Sequence, residues 1–353
     1  MAHRIGRSLL AAIRVSVQAL LVTWATLAIF YSPLPWLWLR VGLAAAFLGF
    51  SVWALWLTKR RRMSWAFLGL FAVVAVGWTF VHPSHDRVWR PEVSVMPRAI
   101  IDGDRVRLTG FRNFDYRSAD DFTVRYEERE VQISHLIAVD FFISYWKVGP
   151  VSHTFVSFIF DNAPPVSVSI ETRPELGEGY DPLASLFKQF ELIYVVGDER
   201  DLVRVRTNYR NEDVFLYRLN ASPEAARQLF MVYLRRINQL ADHPEFYHLL
   251  SNSCTVNIVR YANAAGRTGG FDFRHLLNGL IDGYLYASGR LNSTLPFPEL
   301  RRRSQINEAA QSAGNAEDFS QKIRASLPTI RSQRALPGNV FLRVNRGYKS
   351  DRP

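Results

Sequence analysis

Cys254 is the only cysteine in this 353-residue chain. It sits in the run Leu249-Leu250-Ser251-Asn252-Ser253-Cys254-Thr255-Val256-Asn257. Cap-forming polar residues precede it, and a helix-compatible stretch from Thr255 to Ala265 follows. A thiol at a helix N-terminus faces free backbone N–H groups that stabilise its thiolate, the form that acts as a nucleophile. The competing reading is a buried, inert thiol, the commoner fate of a lone cysteine. A single cysteine excludes an internal disulfide and a thiolate zinc cluster.

A thiol nucleophile needs a base and, usually, a polar group that orients the base. Of the eight histidines, His3 lies in the N-terminal arm and His82 and His85 follow the apolar region. His243 and His248 read as surface loop, His275 belongs to a separate element, and His135 borders an apolar run. His153 opens a strand-like run after the turn residues Gly149-Pro150, which suits a ring at a strand end facing a cleft. A core or surface histidine is the alternative. No His-Glu-x-x-His occurs, and Pro244 breaks any helical relation between His243 and His248, so no metal site is expected. Glu171, Glu175, Glu178, Asp198 and Glu199 are mostly expected to be solvated. Glu171 alone has an argument from placement. Ser152–Phe160 and Val166–Arg173 flank the turn residues Asp161-Asn162-Ala163-Pro164-Pro165 and read as a hairpin. A turn centred near Ala163 sets His153 opposite Arg173 and Phe155 opposite Glu171, with His153, Glu171 and Arg173 on one face.

The elements that carry these residues fall into two regions. Val15–Tyr31, Trp36–Leu57 and Ser64–Val81 are apolar and each long enough to cross a ~30 Å hydrocarbon layer. Seven tryptophans, several near the segment ends, suit interfacial anchors. Arg14 and Arg40 lie close enough to an end to snorkel. Arg4, Arg7 and the run Lys59-Arg60-Arg61-Arg62 place the N-terminus and the second loop in the cytoplasm, so the rest of the chain lies outside. A cleaved signal peptide is the rival for the first span alone. Residues 1–82 thus form a membrane domain with three transmembrane helices, 87–300 an outer domain, and 301–353 a basic, peripheral extension.

Within the outer domain, Val106–Leu108, Phe122–Tyr126, Leu202–Arg206 and Val214–Leu219 are expected strands. The length of the apolar run Val131–Trp146 favours a helix. Asp181–Ile193 suggests an amphipathic helix. Ser222-Pro223-Glu224 opens another, with Leu229, Phe230, Tyr233, Leu234, Ile237 and Leu240 on its apolar face, ending near Asp242-His243-Pro244. Short helices are expected near Phe273–Ile281 and Phe319–Leu327. The net charge of +11 is divided between the flanks of the apolar segments and the stretch from Arg301-Arg302-Arg303 onward. No zinc finger, aromatic RNA-binding motif or phosphate loop accompanies it, so anionic lipid headgroups explain the charge better than nucleic acid.

Several stretches together carry a resemblance: Arg112–Arg117 with Asp121-Phe122, Val139–Trp146, Ser152–Phe158, Ser169–Arg173, Val214–Leu219, Arg235–Asn238 and Tyr247–Asn257. In this order, over roughly residues 110 to 290, they resemble the Lnb N-terminal periplasmic domain family (DUF4105). The resemblance implies an α+β, circularly permuted papain-like (NlpC/P60-type) domain, here preceded by three transmembrane helices, in which a strand-borne histidine precedes a helix-opening cysteine. It implies Cys254 as nucleophile and His153 as base. Glu171 is the choice for a third residue. Asn252 and Ser253 are candidates to support an oxyanion, and Arg173 and Tyr145 to hold substrate. It further implies a thiol-dependent acyltransferase or hydrolase of the bacterial inner membrane with its main domain in the periplasm. Its partner would be a phospholipid or lipoprotein substrate, and no cofactor is expected. A cell-envelope cysteine amidase or peptidase, and a non-catalytic lipid- or glycan-binding protein, are the alternatives.

Overall fold

The computed structural model describes residues 2–147, 149–266 and 269–327. The three apolar segments form the helices α1 (Ala2–Phe30), α2 (Leu37–Val52, continued by a π-helical turn to Leu57) and α3 (Arg61–Thr79). All three are long and apolar enough to cross a membrane. Phe47, Ala54 and Phe67 pack with Val22 and Ala25 at their common core. Most of the remaining apolar surface faces outward, Leu20 and Trp38 each at 70% exposure. Outward-facing surface of this kind is stable against hydrocarbon and costly against water. The Arg4 side chain and residues 328–353 lie outside what the structure describes.

The outer region is built on an eight-stranded mixed sheet. Its strands are β1 (Arg98–Asp102), β2 (Arg105–Arg112), β5 (Tyr126–Gln132), β6 (Leu136–Tyr145), β7 (His153–Phe160), β8 (Val166–Arg173), β9 (Glu191–Gly197) and β10 (Asp213–Arg218). The short strands β3 (Asp115–Tyr116) and β4 (Phe122–Thr123) form a separate pair. The order is β1-β2-β9-β8-β7-β6-β10, with β5 also on β2. β2 meets β9 in parallel at Arg112↔Gly197, and its other neighbours run antiparallel. Gly197 is required there: a Cβ would stand 2.5 Å from the Arg112 carbonyl oxygen.

Three expectations need correction. The run Val131–Trp146 is the end of β5, a 3₁₀ turn and the strand β6, not a helix. β6 is buried on both faces, so it shows the continuous apolar pattern that a helix also gives. Asp181–Ile193 is a 3₁₀ turn at Ala184–Leu186 leading into β9. Leu202–Arg206 alternates like a strand but is helical: α4 (Glu199–Leu202) is capped by the Asp198 carboxylate on the Arg200 N–H, and a π turn follows at Val205–Tyr209.

Helices cover both faces of the sheet. On one lie α5 (Pro223–Asp242), α6 (Cys254–Ala264) and α7 (Ile281–Ala287). The Ser222 hydroxyl caps α5 at the Ala225 N–H, as the Ser-Pro-Glu start predicts. Phe230, Tyr233 and Ile237 then pack with Val156, Phe158 and Val168 in the main core. The opposite face carries α4, the π turn, α9 (Asn307–Ala313) and α10 (Phe319–Lys322), reached through α8 (Phe297–Ser304). Residues 301–327 are therefore not the peripheral tail expected of them. Ile306, Ala310, Phe319 and Ile323 bury Phe142, Phe155, Val214 and Leu216. Arg324 reaches in to bond Asp140 (2.8 Å) and both oxygens of Glu199 (2.6 and 2.7 Å).

The outer region is tied to the membrane helices through the segment before β9. The Tyr31 hydroxyl donates to Asp181 (2.8 Å) and its ring stacks on Phe187. Lys188 donates to the Trp78 and Val81 carbonyls at 3.1 and 3.0 Å.

Candidate functional site

Cys254 is the first residue of α6, with Ser253 at the cap position in extended backbone. The cap makes no side-chain hydrogen bond, so no side chain of the cap competes for the first-turn N–H groups. The sulfur is buried, with the residue 3% exposed. Burial alone raises a thiol, but the His153 ring, followed by the Thr154 hydroxyl and N–H, outweighs it and brings Cys254 from 9.0 down to about 6. The two elements are pinned one residue further on, where the Thr154 and Thr255 hydroxyls lie 2.8 Å apart. Asn278 directs its amide N–H₂ toward the sulfur at 3.7 Å. That amide is itself fixed by Ser152, donating to its carbonyl at 2.7 Å and accepting its N–H at 2.8 Å.

His153 begins β7, at the point where pairing with β8 ends. The register runs from Phe158↔Val166 to Phe155↔Ser169, and its continuation sets His153 opposite Glu171. The expected register is thus two residues out, because the turn is centred on Asn162 rather than Ala163. A two-residue shift preserves the face, so His153 and Glu171 remain on the same side. The His153 Nε2 atom lies 2.7 Å from the Ser169 hydroxyl and 3.8 Å from Glu171 Oε1. Arg206, from the π turn, donates to Glu171 at 2.8 Å and lies over the Phe155 ring. Burial pushes the Glu171 carboxyl up. Arg206, then His153 and Arg112, more than reverse this and hold it well below the usual carboxylate range. The result is a polar chain through the end of the sheet, His153, Ser169 with Glu171, then Arg206, whose histidine favours the charged form of the thiol.

The remaining expected residues lie elsewhere. Arg173 spends its guanidinium on the Val93 and Ser94 carbonyls and His85, and covers the Trp89 ring. It packs the 85–94 segment onto the sheet. Tyr145 donates to the Gly279 carbonyl (2.8 Å), supporting the turn that carries Asn278. Asn252 gives its amide hydrogens to Phe246 O (2.8 Å) and Glu245 (3.2 Å), and its oxygen accepts from Asn257. It braces the loop before α6 and has no free donor for an oxyanion. Sequence reasoning missed Asn278, Ser169 and Arg206. Gly279 lies against the backbone of Gly149 and Pro150, where a Cβ would stand 2.5 Å from the Gly149 oxygen. That close approach brings the loop before His153 and the turn of Asn278 together. Among the described residues no group of three or more His, Cys, Asp or Glu side chains is arranged to hold a metal ion.

Residues 122–279 match the family model described as the Lnb N-terminal periplasmic domain. The matched stretch contains His153, Ser169, Glu171, Arg206, Cys254 and Asn278. No curated protein and no solved structure matches the chain.

Proposed function

We propose that this chain is a membrane-anchored, thiol-dependent acyltransferase or hydrolase that cleaves a lipid- or lipoprotein-linked ester or amide through an acyl-cysteine, with its main domain in the periplasm. The observation that carries this reading is the placement of Cys254, a buried thiol that opens α6 with the Asn278 amide 3.7 Å away and its charged form favoured by a histidine from an earlier strand. Ordinary burial raises a thiol, so a depressed value requires a positioned partner. A papain-like domain of permuted chain order agrees with the element order, a histidine at a strand start before a cysteine at a helix start. The family description supports the periplasmic location.

In the proposed cycle Ser169 and Glu171 hold Nε2 of His153, leaving Nδ1 to take the Cys254 proton. The thiolate attacks the substrate carbonyl, and the oxyanion meets the N–H groups that open α6, with the Asn278 amide alongside. Collapse breaks the ester or amide bond, His153 returns its proton to the leaving alkoxide or amine, and an acyl-thioester remains on Cys254. Water or an amine, deprotonated by His153, then takes the acyl group and frees the thiol. Glu171 stays charged throughout and favours the imidazolium. The test is incubation of the full chain in membranes with radiolabelled phospholipid. Label on Cys254 that hydroxylamine removes, and that is absent in Cys254→Ser, is the expected result. A wild-type chain whose Cys254 alkylates rapidly but acquires no label from either phospholipid or diacylated lipopeptide would overturn the reading.

A further inference from the structure

Outside the membrane helices, exposed large apolar side chains gather in the loops around Cys254. Leu176, Tyr180 and Leu183 are exposed in the segment before β9, and Phe273, Leu277 and Leu280 in the segment that carries Asn278. The second group belongs to the segment that reaches the thiol, its Asn278 amide lying 3.7 Å from the Cys254 sulfur. Scattered apolar residues are normal on a protein surface, so what the first group is fastened to decides its meaning. The first of these loops is also the one fastened to the membrane helices. Asp181, next to Tyr180, accepts from Tyr31, which directly follows the last residue of α1. Lys188, seven residues later in the chain, holds the carbonyls at the end of α3. The link from this loop to the membrane boundary is therefore short: Tyr180, Asp181, Tyr31, Phe30.

We infer that these loops are a bilayer-contacting surface: those around residues 176–183 and 271–280 seat in the interfacial layer of the membrane that holds α1–α3, so that the site of Cys254 opens toward lipid. Continuity with the helix ends selects the bilayer over a soluble partner. A protein partner would have to share the face with the lipid that already surrounds Tyr31 and Trp78. Aromatic and leucine side chains flanked by basic groups such as Lys188 and Arg274 suit that depth. The surface stands on geometry alone. That a lipid entering here presents its glycerol-level carbonyl to the thiol rests on the function proposed above.

The test uses the full chain reconstituted in vesicles of phosphatidylethanolamine and phosphatidylglycerol. In a Cys254→Ser background, spin labels are placed at Leu183→Cys, Phe273→Cys and, as reference, Ser312→Cys on α9, which covers the opposite face of the sheet. The ratio of collisions with oxygen to those with a water-soluble nickel chelate reports depth. At positions 183 and 273 this ratio is expected to exceed that at 312 by roughly threefold or more, as for side chains at the acyl boundary. Ratios equal to that at 312 overturn the proposal. Labels shielded from both reagents also overturn it, since they mark a protein partner or a second copy. The background lacks the thiol, so failure of the proposed chemistry leaves this measurement unaffected.

Discussion

On one face of the sheet, α5 and α6 lay Phe230, Tyr233, Ile258 and Tyr261 against Val156, Phe158 and Ile170 in a continuous apolar core. On the other, a smaller apolar cluster is interleaved with buried ion pairs. Arg112 grips Asp201 with two bonds (2.9 and 2.8 Å), Arg324 bridges Asp140 and Glu199, and Arg206 meets Glu171. The apolar face contributes the thiol and shields it from water. The ionic face supplies the charges that orient the histidine. His153, at the strand end, is where the two meet. A carboxylate buried against hydrocarbon would take up a proton, and a thiol among buried arginines would lose its packing. Dividing the two chemistries between faces lets a charged Glu171 carboxylate and a buried Cys254 thiol meet at one strand end.

Breaking the ionic face at its densest point should have the largest effect. Arg324→Ala leaves the fully buried carboxylate of Glu199 without its arginine and Asp140 with Arg218 alone, and a loss of about 3–5 kcal/mol is expected. Thermal unfolding of the full chain in detergent measures it. If the apparent stability is unchanged, residues 301–327 do not hold this face together. His153→Ala attacks the junction instead. With burial unopposed by the ring, the Cys254 thiol should titrate at or above its ordinary range. Alkylation by iodoacetamide at pH 7 should then slow by on the order of tenfold or more. Glu171→Gln keeps the shape but removes the charge, and acts on the sulfur only through His153. The same assay should show a smaller slowing, on the order of tenfold or less. An effect of Glu171→Gln larger than that of His153→Ala would reverse the proposed order of the chain.

The apolar face was the more legible of the two in the sequence. Ser222-Pro223 announced α5, its stripe matched the core, and the polar run before Cys254 marked the start of α6. The hairpin of β7 and β8 was also readable, although Pro164-Pro165 left its register two residues out. The ionic face was mostly hidden. β6 is buried on both sides and loses the alternation that marks a strand. Residues 202–206 alternate by composition, yet the Asp198 cap and the close approach at Gly197 turn them into helix. Arg324 and Arg206 pair with partners 125 and 35 residues away, and no local pattern announces such contacts. Asn278 depends on a turn packing against Gly149 and Pro150, and so was equally out of reach.

The most direct test of the central claim is the rate of Cys254 alkylation as a function of pH in the full chain. A depressed thiol is charged above its own pKa, so the rate should reach half its maximum near pH 6 and stay level from about pH 7 upward. A rate that is negligible at pH 7 and rises only toward pH 9 would show an ordinary or buried thiol, and would contradict the account.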